Sequence, residues 1–399
     1  MLEDAFMAEG LGRRSSNRRG FLFSWLKVIL ISALLLSFSS YYFLTKYSQV
    51  FLEKTSANRF FILTITSTLE NDSPDGRIWN LSEEEKTIGL FVNNSRQTVY
   101  LLNASYPVGD VQLDADGNPT AHLSFPTPMI SKGRNLTLQI VYKIILKPHP
   151  FPRIFINQSG SLSDINEDLK ARYCRNIGPW RMDRNALRKL ASQIVGNETN
   201  ILLLLRDLIQ WIKHNVHYET GDLPRYPNET LSGKAGDCDD QANLFIALCR
   251  ALGIPAYLQM GCIYLPSYDL EASHWNGHWK LKLTRVGWHG WAMVYVPPWG
   301  WIPVDLTFAP GILSDPMNAI KKAAVIVYPV VQYANITETD YIASTRSYCE
   351  FLLSNGFKIY EEDVMSEIEV SPQEGTVRLP CLHVFACLPL SRFQASLSI

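Results

Sequence analysis

Three features are scarce in this sequence, and each absence excludes a class of protein. The 399 residues carry 37 basic and 38 acidic side chains, and no basic block interrupts the body of the chain, so nucleic acid is not an expected partner. No two cysteines have the Cys-x-x-Cys spacing, which argues against a structural zinc site. No internal repeat or low-complexity tract is present. We therefore expect a globular protein without a metal or cofactor.

The composition supports a sizeable core and more than one domain. Hydrophobic residues make up 47% of the chain, which is ordinary for a globular protein. A length of 399 residues suggests two or three domains. The seven cysteines are an odd number, so at least one thiol stays free or pairs between molecules in an oxidising compartment.

One long apolar run lies near the N-terminus, at residues 21–44, with Lys27 as its only charge. About 20 apolar residues span a bilayer. Four arginines precede the run and few cations follow it, so the positive-inside bias places residues 1–20 in the cytoplasm and the body outside the cell. We predict a single-pass transmembrane helix in the lipid bilayer, with a cleaved signal peptide as the alternative.

Nine Asn-x-Ser/Thr acceptors agree with export of the body. All nine follow the apolar run, and their number indicates surface positions in a glycosylating compartment. They are Asn71, Asn80, Asn93, Asn103, Asn135, Asn157, Asn197, Asn228 and Asn335.

The pattern of the body changes from strands to helices. Residues 57–146 contain four segments rich in β-branched and aromatic residues, and one of them alternates apolar with polar residues, which predicts an antiparallel β-sandwich. Residues 147–176 form a Pro-rich linker. Residues 177–340 contain helices with caps at Asp183, Asn200 and Asp237, followed by strands. The tail at 341–399 is left unassigned.

A cysteine stands at the start of the third of these helices, in the stretch GKAGDCDDQANLFIALCRALGIPA, residues 233–256. Asp237 and Asp240 predict a capping box, which places Cys238 in the first turn. There the helix dipole lowers a thiol pKa, and free N–H groups face an oxyanion, but the neighbouring carboxylates disfavour a thiolate. Cys238 therefore needs a cationic partner, and the usual one is a histidine. A calcium site from Asp239 and Asp240 is a lesser alternative.

His289 has the best context for that partner. It begins a predicted strand, and a turn at residues 297–300 returns the chain towards Asp305, whose carboxylate can orient the imidazole. His289 and Asp305 share a face of the hairpin only if the loop has an odd number of residues or one strand carries a bulge. His274 and His278 are interpreted as surface or aromatic-packing histidines, and Cys249 as a core thiol.

These residues resemble the transglutaminase-like superfamily over about residues 180–310. The resemblance rests on GDCDDQA, LGIPA and HGWAMVYVPPWGWIPVDLT, which together are fairly specific, although Gly290 and Leu306 stand where the family often has alanine and proline. It implies an α+β fold with a papain-like transglutaminase core. It also implies Cys238 as nucleophile, His289 as general base and acid, and Asp305 as the residue that orients His289.

The expected function is extracytoplasmic acyl transfer from peptide or side-chain amides through a thioester at Cys238. We expect hydrolysis of a peptide or protein substrate rather than crosslinking, because a crosslinker must exclude water and no feature of the sequence does so. The alternative is a catalytically silent binding or scaffold module at the cell surface.

Overall fold

The computed structural model describes residues 57–369. The predicted transmembrane helix at 21–44 and the sequence beyond 369 lie outside the described residues. Within residues 57–369, no helix combines the length and the apolar character that crossing a bilayer requires. The described residues from Arg59 onward belong to one compact unit.

The unit has a mixed α/β architecture. Its strands are β1 (Arg59–Asn71), β2 (Trp79–Asn80), β3 (Thr87–Gly89), β4 (Gln97–Ala104), β5 (Val108–Leu113), β6 (Pro119–Leu123), β7 (Met129–Ile130), β8 (Asn135–Leu146), β9 (His217–Tyr218), β10 (Ala235–Gly236), β11 (Ala256–His274), β12 (Trp279–Val296), β13 (Gly300–Val304), β14 (Val330–Ile336) and β15 (Phe357–Ile368). Its α-helices are α1 (Glu167–Tyr173), α2 (Arg184–Val195), α3 (Ile201–Asn215), α4 (Pro227–Gly233), α5 (Cys238–Ala251), α6 (Asn318–Lys321), α7 (Ala324–Val327) and α8 (Tyr341–Asn355).

The main sheet has eight strands, and seven of them follow the order β14-β11-β12-β15-β1-β8-β4. The eighth, β13, pairs with β12. Neighbouring strands are antiparallel except β12 and β15, which run parallel. The sheet is therefore mixed, with strands from both ends of the described chain at its centre.

Residues 57–146 do not form the separate β-sandwich that the sequence predicts. β1, β4 and β8 belong to the main sheet, while β3, β5 and β6 form a three-stranded sheet of their own. The two sheets share one hydrophobic core, which includes Phe61 and Leu63 of β1 and Ala121 and Leu123 of β6. The alternation in the sequence identified the strands correctly, but local pattern contains no information about which distant strands pair.

The tail left unassigned from residue 341 contains two central elements. Asp340 caps α8 by accepting from the N–H of Ala343 at 3.1 Å. β15 then lies between β12 and β1, pairing with β1 over twelve residues from Phe357 to Ile368. The supposed tail thus contributes a central strand up to Ile368.

The predicted helices form as their caps indicate. Asp183, Asn200 and Asp237 accept hydrogen bonds from backbone N–H groups at the starts of α2, α3 and α5. α5 is buried on nearly every side, because α2, α3, β11 and β12 all pack against it. Cys249 in its last turn is 0% exposed, as expected for a core thiol. Gly253, at φ +82°, allows the chain to leave the helix where predicted.

Two carboxylates lie among apolar residues on one face of β15. Glu361 and Asp363 are two residues apart, so their side chains share that face. Burial, and then the charge of Asp363, raises the pKa of Glu361 to about 7, and burial raises the pKa of Asp363 to about 6. The folded protein therefore keeps protons that the unfolded chain releases above pH ~4.

Glu361→Gln is predicted to flatten the pH dependence of stability. A carboxyl group with a raised folded pKa stabilises the fold below its unfolded pKa and loses that contribution as pH rises towards 7. The free energy of unfolding, measured by urea denaturation at pH 5 and pH 8, should fall less in the variant than in the parent. Glu362→Gln, on the opposite and exposed face, is the matched control. Equal pH dependence in parent and Glu361→Gln would contradict the prediction.

Candidate active site

Cys238 occupies the first position of α5, and a reciprocal cap fixes it there. The Asp237 carboxylate accepts from the N–H of Asp240 at 3.5 Å, and the Asp240 carboxylate accepts from the N–H of Asp237 at 3.3 Å. This is the predicted capping box. The N–H of Cys238 itself lies in the first turn, where no intrahelical acceptor is available to it.

Asp240 has a structural role. It is 1% exposed and accepts a second hydrogen bond from the N–H of Arg225 at 2.7 Å. Burial, followed by the charge of Asp239, raises its pKa to about 6. Asp237, Cys238 and Asp239 have ligand atoms within 4.8 Å of one another, and Asp240 lies outside that group. The lesser calcium hypothesis paired Asp239 with Asp240, whereas the ligand atoms that lie together belong to Asp237, Cys238 and Asp239.

His289 and Asp305 are brought together, as the hairpin hypothesis requires. His289 Nε2 lies 3.1 Å from Asp305 Oδ2. β12 and β13 close with Val296 opposite Gly300, which leaves a loop of three residues. The odd count satisfies the geometric condition. The paired register ends at Ala292 and Val304, and its extension by one residue puts Asp305 opposite Trp291, on the face that His289 shares.

Asp305 is held by backbone donors as well as by the imidazole. Its Oδ1 accepts from the N–H groups of Thr307 at 3.1 Å and Phe308 at 2.9 Å, and its Oδ2 also accepts from Ala324 at 2.9 Å. Burial opposes ionisation, but the charge of His289 and these donors hold the pKa of Asp305 below its ordinary value. Asp305 is thus a buried carboxylate whose position is fixed.

Aromatic rings cover the His289–Asp305 pair. The Trp291 ring stacks on the imidazole with centroids 5.8 Å apart, and the Phe308 ring lies 5.5 Å away. His289 is 6% exposed and Asp305 is 1% exposed. The packing of Trp291 on the imidazole therefore limits the access of water to the pair.

The start of α5 lies against the segment that follows His289. The Gly290 N–H faces the Cys238 sulfur and lowers the pKa of the thiol. A Cβ at residue 290 would come within 3.1 Å of Asp239 Cβ, which is a tighter contact than side chains usually make. Burial, and then the charges of Asp239 and Asp237, nevertheless raise the pKa of Cys238 well above its ordinary value.

Tyr341 is a site neighbour that the sequence reasoning missed. Its hydroxyl donates to the Asp239 carboxylate and accepts from Asn243 Nδ2 at 2.7 Å. Tyr341 begins α8, about a hundred residues after Asp239, so no local pattern connects the two. The only available signal was the cap at Asp340, which predicts a helix start.

The other singled-out histidines lie elsewhere. His274 Nδ1 lies 2.8 Å from Asp222 Oδ1, and its ring packs beside Trp279 at 5.1 Å. His278 Nδ1 lies 2.7 Å from the carbonyl oxygen of Phe357. His274 agrees with its interpretation as an aromatic-packing residue, whereas His278 is half-buried and contacts a backbone carbonyl.

Comparison with known proteins identifies the central segment. Residues 188–306 match the model of the transglutaminase-like superfamily. The matched segment, which contains Cys238, His289 and Asp305, is similar to a transglutaminase-like domain. No curated protein matches the sequence.

Several solved structures are distantly similar. A protein of Cytophaga hutchinsonii, proposed to be a cysteine protease, is 17% identical with a TM-score of 0.44, and the match covers 79% of this chain and 93% of that one. The periplasmic domain of TgpA from Pseudomonas aeruginosa, bound to ethylmercury, is 16% identical with a TM-score of 0.31. The match covers 70% of this chain and 96% of that one. Red sea bream transglutaminase is 11% identical with a TM-score of 0.25. The match covers 65% of this chain and 49% of that one. With TM-scores below 0.5, these likenesses carry no argument about activity.

Asp239→Asn is predicted to make Cys238 more reactive towards alkylation. After burial, the Asp239 charge is the largest cause of the raised thiol pKa, so removing it should favour the thiolate. The rate of iodoacetamide labelling at Cys238, followed by mass spectrometry from pH 6 to pH 10, should rise at lower pH in the variant. Asp222→Asn, a carboxylate paired with His274, should leave the profile unchanged. Identical profiles for Asp239→Asn and the parent would refute the assignment.

Proposed function

We propose that this protein is a thiol-dependent hydrolase of peptide or side-chain amides that works through an acyl-enzyme at Cys238. The observation that carries the proposal is the buried hydrogen bond of 3.1 Å between His289, on the strand that packs against the helix beginning at Cys238, and Asp305, directly after β13. A nucleophile, a base and a residue that orients the base are the three parts that covalent acyl transfer requires.

The geometry suggests which imidazole nitrogen takes the proton. Nε2 donates to Asp305, so the neutral tautomer carries its proton there, and Nδ1 keeps the lone pair that would accept the proton of the Cys238 thiol. Because burial and two carboxylates disfavour a free thiolate, we expect proton transfer to His289 to accompany attack on the carbonyl carbon. The N–H groups at the start of α5 are placed to donate to the oxyanion.

The remaining steps follow from that arrangement. As the C–N bond breaks, His289 returns its proton to the departing amine and a thioester to Cys238 remains. His289 then accepts a proton from water, which attacks the thioester carbon. The S–C bond breaks, a carboxylic acid leaves and the thiol regains its proton. Asp305 keeps the imidazole oriented and stabilises its cationic form throughout.

Substitutions at the triad should abolish or reduce hydrolysis of a fluorogenic peptide amide by the full-length protein. Cys238→Ala removes the nucleophile, and we expect a loss of at least about a thousandfold in kcat. Asp305→Asn removes the acceptor for Nε2–H, and we expect a loss of about 100-fold to 10,000-fold. Initial rates at pH 7.5 measure both effects.

A second histidine–carboxylate pair provides a matched control for the triad. His274 also pairs with an aspartate, Asp222, but that pair is more exposed and lies outside the proposed machinery. His274→Ala should retain the parent rate, whereas His289→Ala should lose it. Unchanged turnover in Cys238→Ala would refute the proposed nucleophile.

A catalytically silent binding module remains the rival function, and the raised pKa of Cys238 is the observation that favours it. The two hypotheses differ in what His289 does to the thiol. If the parent shows no amide hydrolysis and His289→Ala leaves the alkylation rate of Cys238 unchanged, the module is favoured. Turnover that disappears in Cys238→Ala rejects it.

We place the domain outside the cell, anchored in the bilayer by residues 21–44. Two sequence observations support this location: the apolar run with arginines before it, and the nine glycosylation acceptors that follow it. Seven of those asparagines are exposed, namely Asn80, Asn93, Asn103, Asn135, Asn157, Asn197 and Asn228. Asn71 is 0% exposed, and its amide nitrogen donates to the carbonyl oxygens of Arg77 and Ile130 at 2.9 Å and 2.7 Å.

The location predicts a specific pattern of glycan occupancy. When the full-length protein is made in a glycosylating secretory host, exposed acceptors such as Asn228 should be modified. Asn71 should stay unmodified, because its amide is buried and hydrogen-bonded. Enzymatic glycan removal followed by peptide mass spectrometry reads each site. Absence of glycan at all seven exposed sites would contradict the proposed location, and a glycan at Asn71 would contradict its burial.

A further inference from the structure

A tyrosine from the C-terminal part of the described chain reaches the candidate active site. Tyr341 begins α8, and its hydroxyl donates to Oδ2 of Asp239, the residue after Cys238. The Cys238 thiol faces the other oxygen of the same carboxylate, with Sγ 4.0 Å from Oδ1. Asp239 therefore lies between the tyrosine and the proposed nucleophile, and the acyl-transfer steps described above give Tyr341 no role.

The direction of the Tyr341 hydrogen bond follows from its two partners. Asn243 Nδ2 lies 2.7 Å from the phenol oxygen, and an amide nitrogen donates but does not accept. The single phenol proton is therefore directed at the Asp239 carboxylate, which only accepts when it is ionised. Burial, and then the charge of Asp239, raise the pKa of Tyr341 well above its ordinary value, so the phenol keeps this proton in neutral solution.

The fold holds the Tyr341 hydroxyl in place from two sides. Asn243 belongs to α5 and is 0% exposed, so the amide that donates to the phenol is fixed in the core. Asp340, the cap of α8, accepts from the N–H of Ala343 and from the hydroxyl of Tyr226, both at 3.1 Å. The start of α8 is thus tied to the segment that precedes α4 and to the helix that carries Cys238.

The contact is important because of the charge on Asp239. After burial, that charge is the largest cause of the raised pKa of the Cys238 thiol. A donated O–H directs the positive end of its dipole at the carboxylate and offsets part of the charge that the sulfur experiences. The same bond ties Oδ2 to Tyr341, which leaves Oδ1 as the oxygen that faces the thiol.

We propose that Tyr341 is a positioning residue for the nucleophile: its hydroxyl restrains the Asp239 carboxylate and offsets its charge, which makes Cys238 easier to ionise during attack. The inference rests on the proposed thiol chemistry at Cys238. Because the hydroxyl bonds to Asp239 and Asn243 rather than to the sulfur, Tyr341 acts through Asp239. Removal of the hydroxyl should therefore matter only while residue 239 carries a charge.

Other titratable groups also surround the thiol, and the test must separate their effects from that of Asp239. They are Asp237 on α5, Tyr218 on β9 and His289 on β12. Burial, and then the charges of Cys238 and Asp237, raise the pKa of Tyr218 to about 12, so this phenol is neutral near pH 8. All three stay unchanged when Tyr341 is substituted with and without the Asp239 charge, so a comparison of the two backgrounds isolates Asp239.

The rate of iodoacetamide labelling at Cys238 in the full-length protein tests the proposal. Tyr341→Phe removes one oxygen and should shift the profile between pH 6 and pH 10 upward by about one unit, which is a rate about tenfold lower at pH 8. In an Asp239→Asn background, the same substitution should change the rate by less than about twofold. An unshifted profile in Tyr341→Phe, or equal shifts in both backgrounds, would overturn the proposal.

Tyr348 provides a matched control two turns further along α8. Its hydroxyl also donates to a carboxylate, Glu85 Oε1 at 2.9 Å, but Glu85 lies between β2 and β3 and not at the candidate site. Tyr348→Phe should leave the labelling profile of Cys238 unchanged. A shift equal to that of Tyr341→Phe would trace the effect to a general loosening of α8 and would reject the specific role.

Asn243→Leu covers the case in which Tyr341→Phe folds poorly, as judged by its thermal unfolding midpoint. The leucine has nearly the same shape but cannot donate to the phenol oxygen, so the hydroxyl is less firmly held. The labelling profile should shift in the same direction by a smaller amount, and an unchanged profile in the folded variant would count against the proposal.

Labelling and turnover separate this inference from the proposed function. Alkylation needs no substrate, so a parent protein without amide hydrolysis would contradict the hydrolase proposal and leave the labelling test intact. Where hydrolysis is measured, Tyr341→Phe should lower kcat by about tenfold with KM unchanged, because the tyrosine affects the nucleophile and not substrate binding. A raised KM with kcat unchanged would contradict the positioning role.

Discussion

The pairing of β15 between β12 and β1 is the interaction on which the rest of the structure depends. β12 carries His289, and β1 leads through β8 to β4 at the far edge of the sheet. Without β15, strands β1, β8 and β4 would not be joined by strand pairing to β12 and β13, which lie at the candidate site. The parallel β12–β15 pair is also what makes an otherwise antiparallel sheet mixed. The sequence suggests a β-sandwich domain and a separate catalytic domain, and β15 joins the two into a single unit.

The sequence predicted the local parts of the site well because each rests on a short-range rule. The capping box at Asp237 and Asp240, the helix end at Gly253 and the strands around His289 all follow from residues within a few positions of each other. The contact between His289 and Asp305 needed one further fact, the parity of the hairpin loop. Sequence reasoning stated this condition but had no means of deciding it.

What the sequence could not predict has a common cause, which is distance along the chain. The hydrogen bond from Tyr341 to Asp239 and the twelve-residue ladder between β1 and β15 join residues about a hundred to three hundred positions apart. Burial is equally non-local. Sequence reasoning recognised the opposing effects of the helix dipole and the carboxylates on Cys238, but only the packing around α5 shows that the thiol pKa is raised.

The position of β15 also affects how the chain reaches its native state during synthesis. β1 emerges from the ribosome early, whereas its partner is complete only when Ile368 has been made. Until then, the edges of β1 and β12 that β15 later covers present unpaired N–H and C=O groups. Contacts of such long sequence separation slow folding and prolong the exposure of these edges. Until β15 has been made, these edges must therefore be kept from pairing with neighbouring chains.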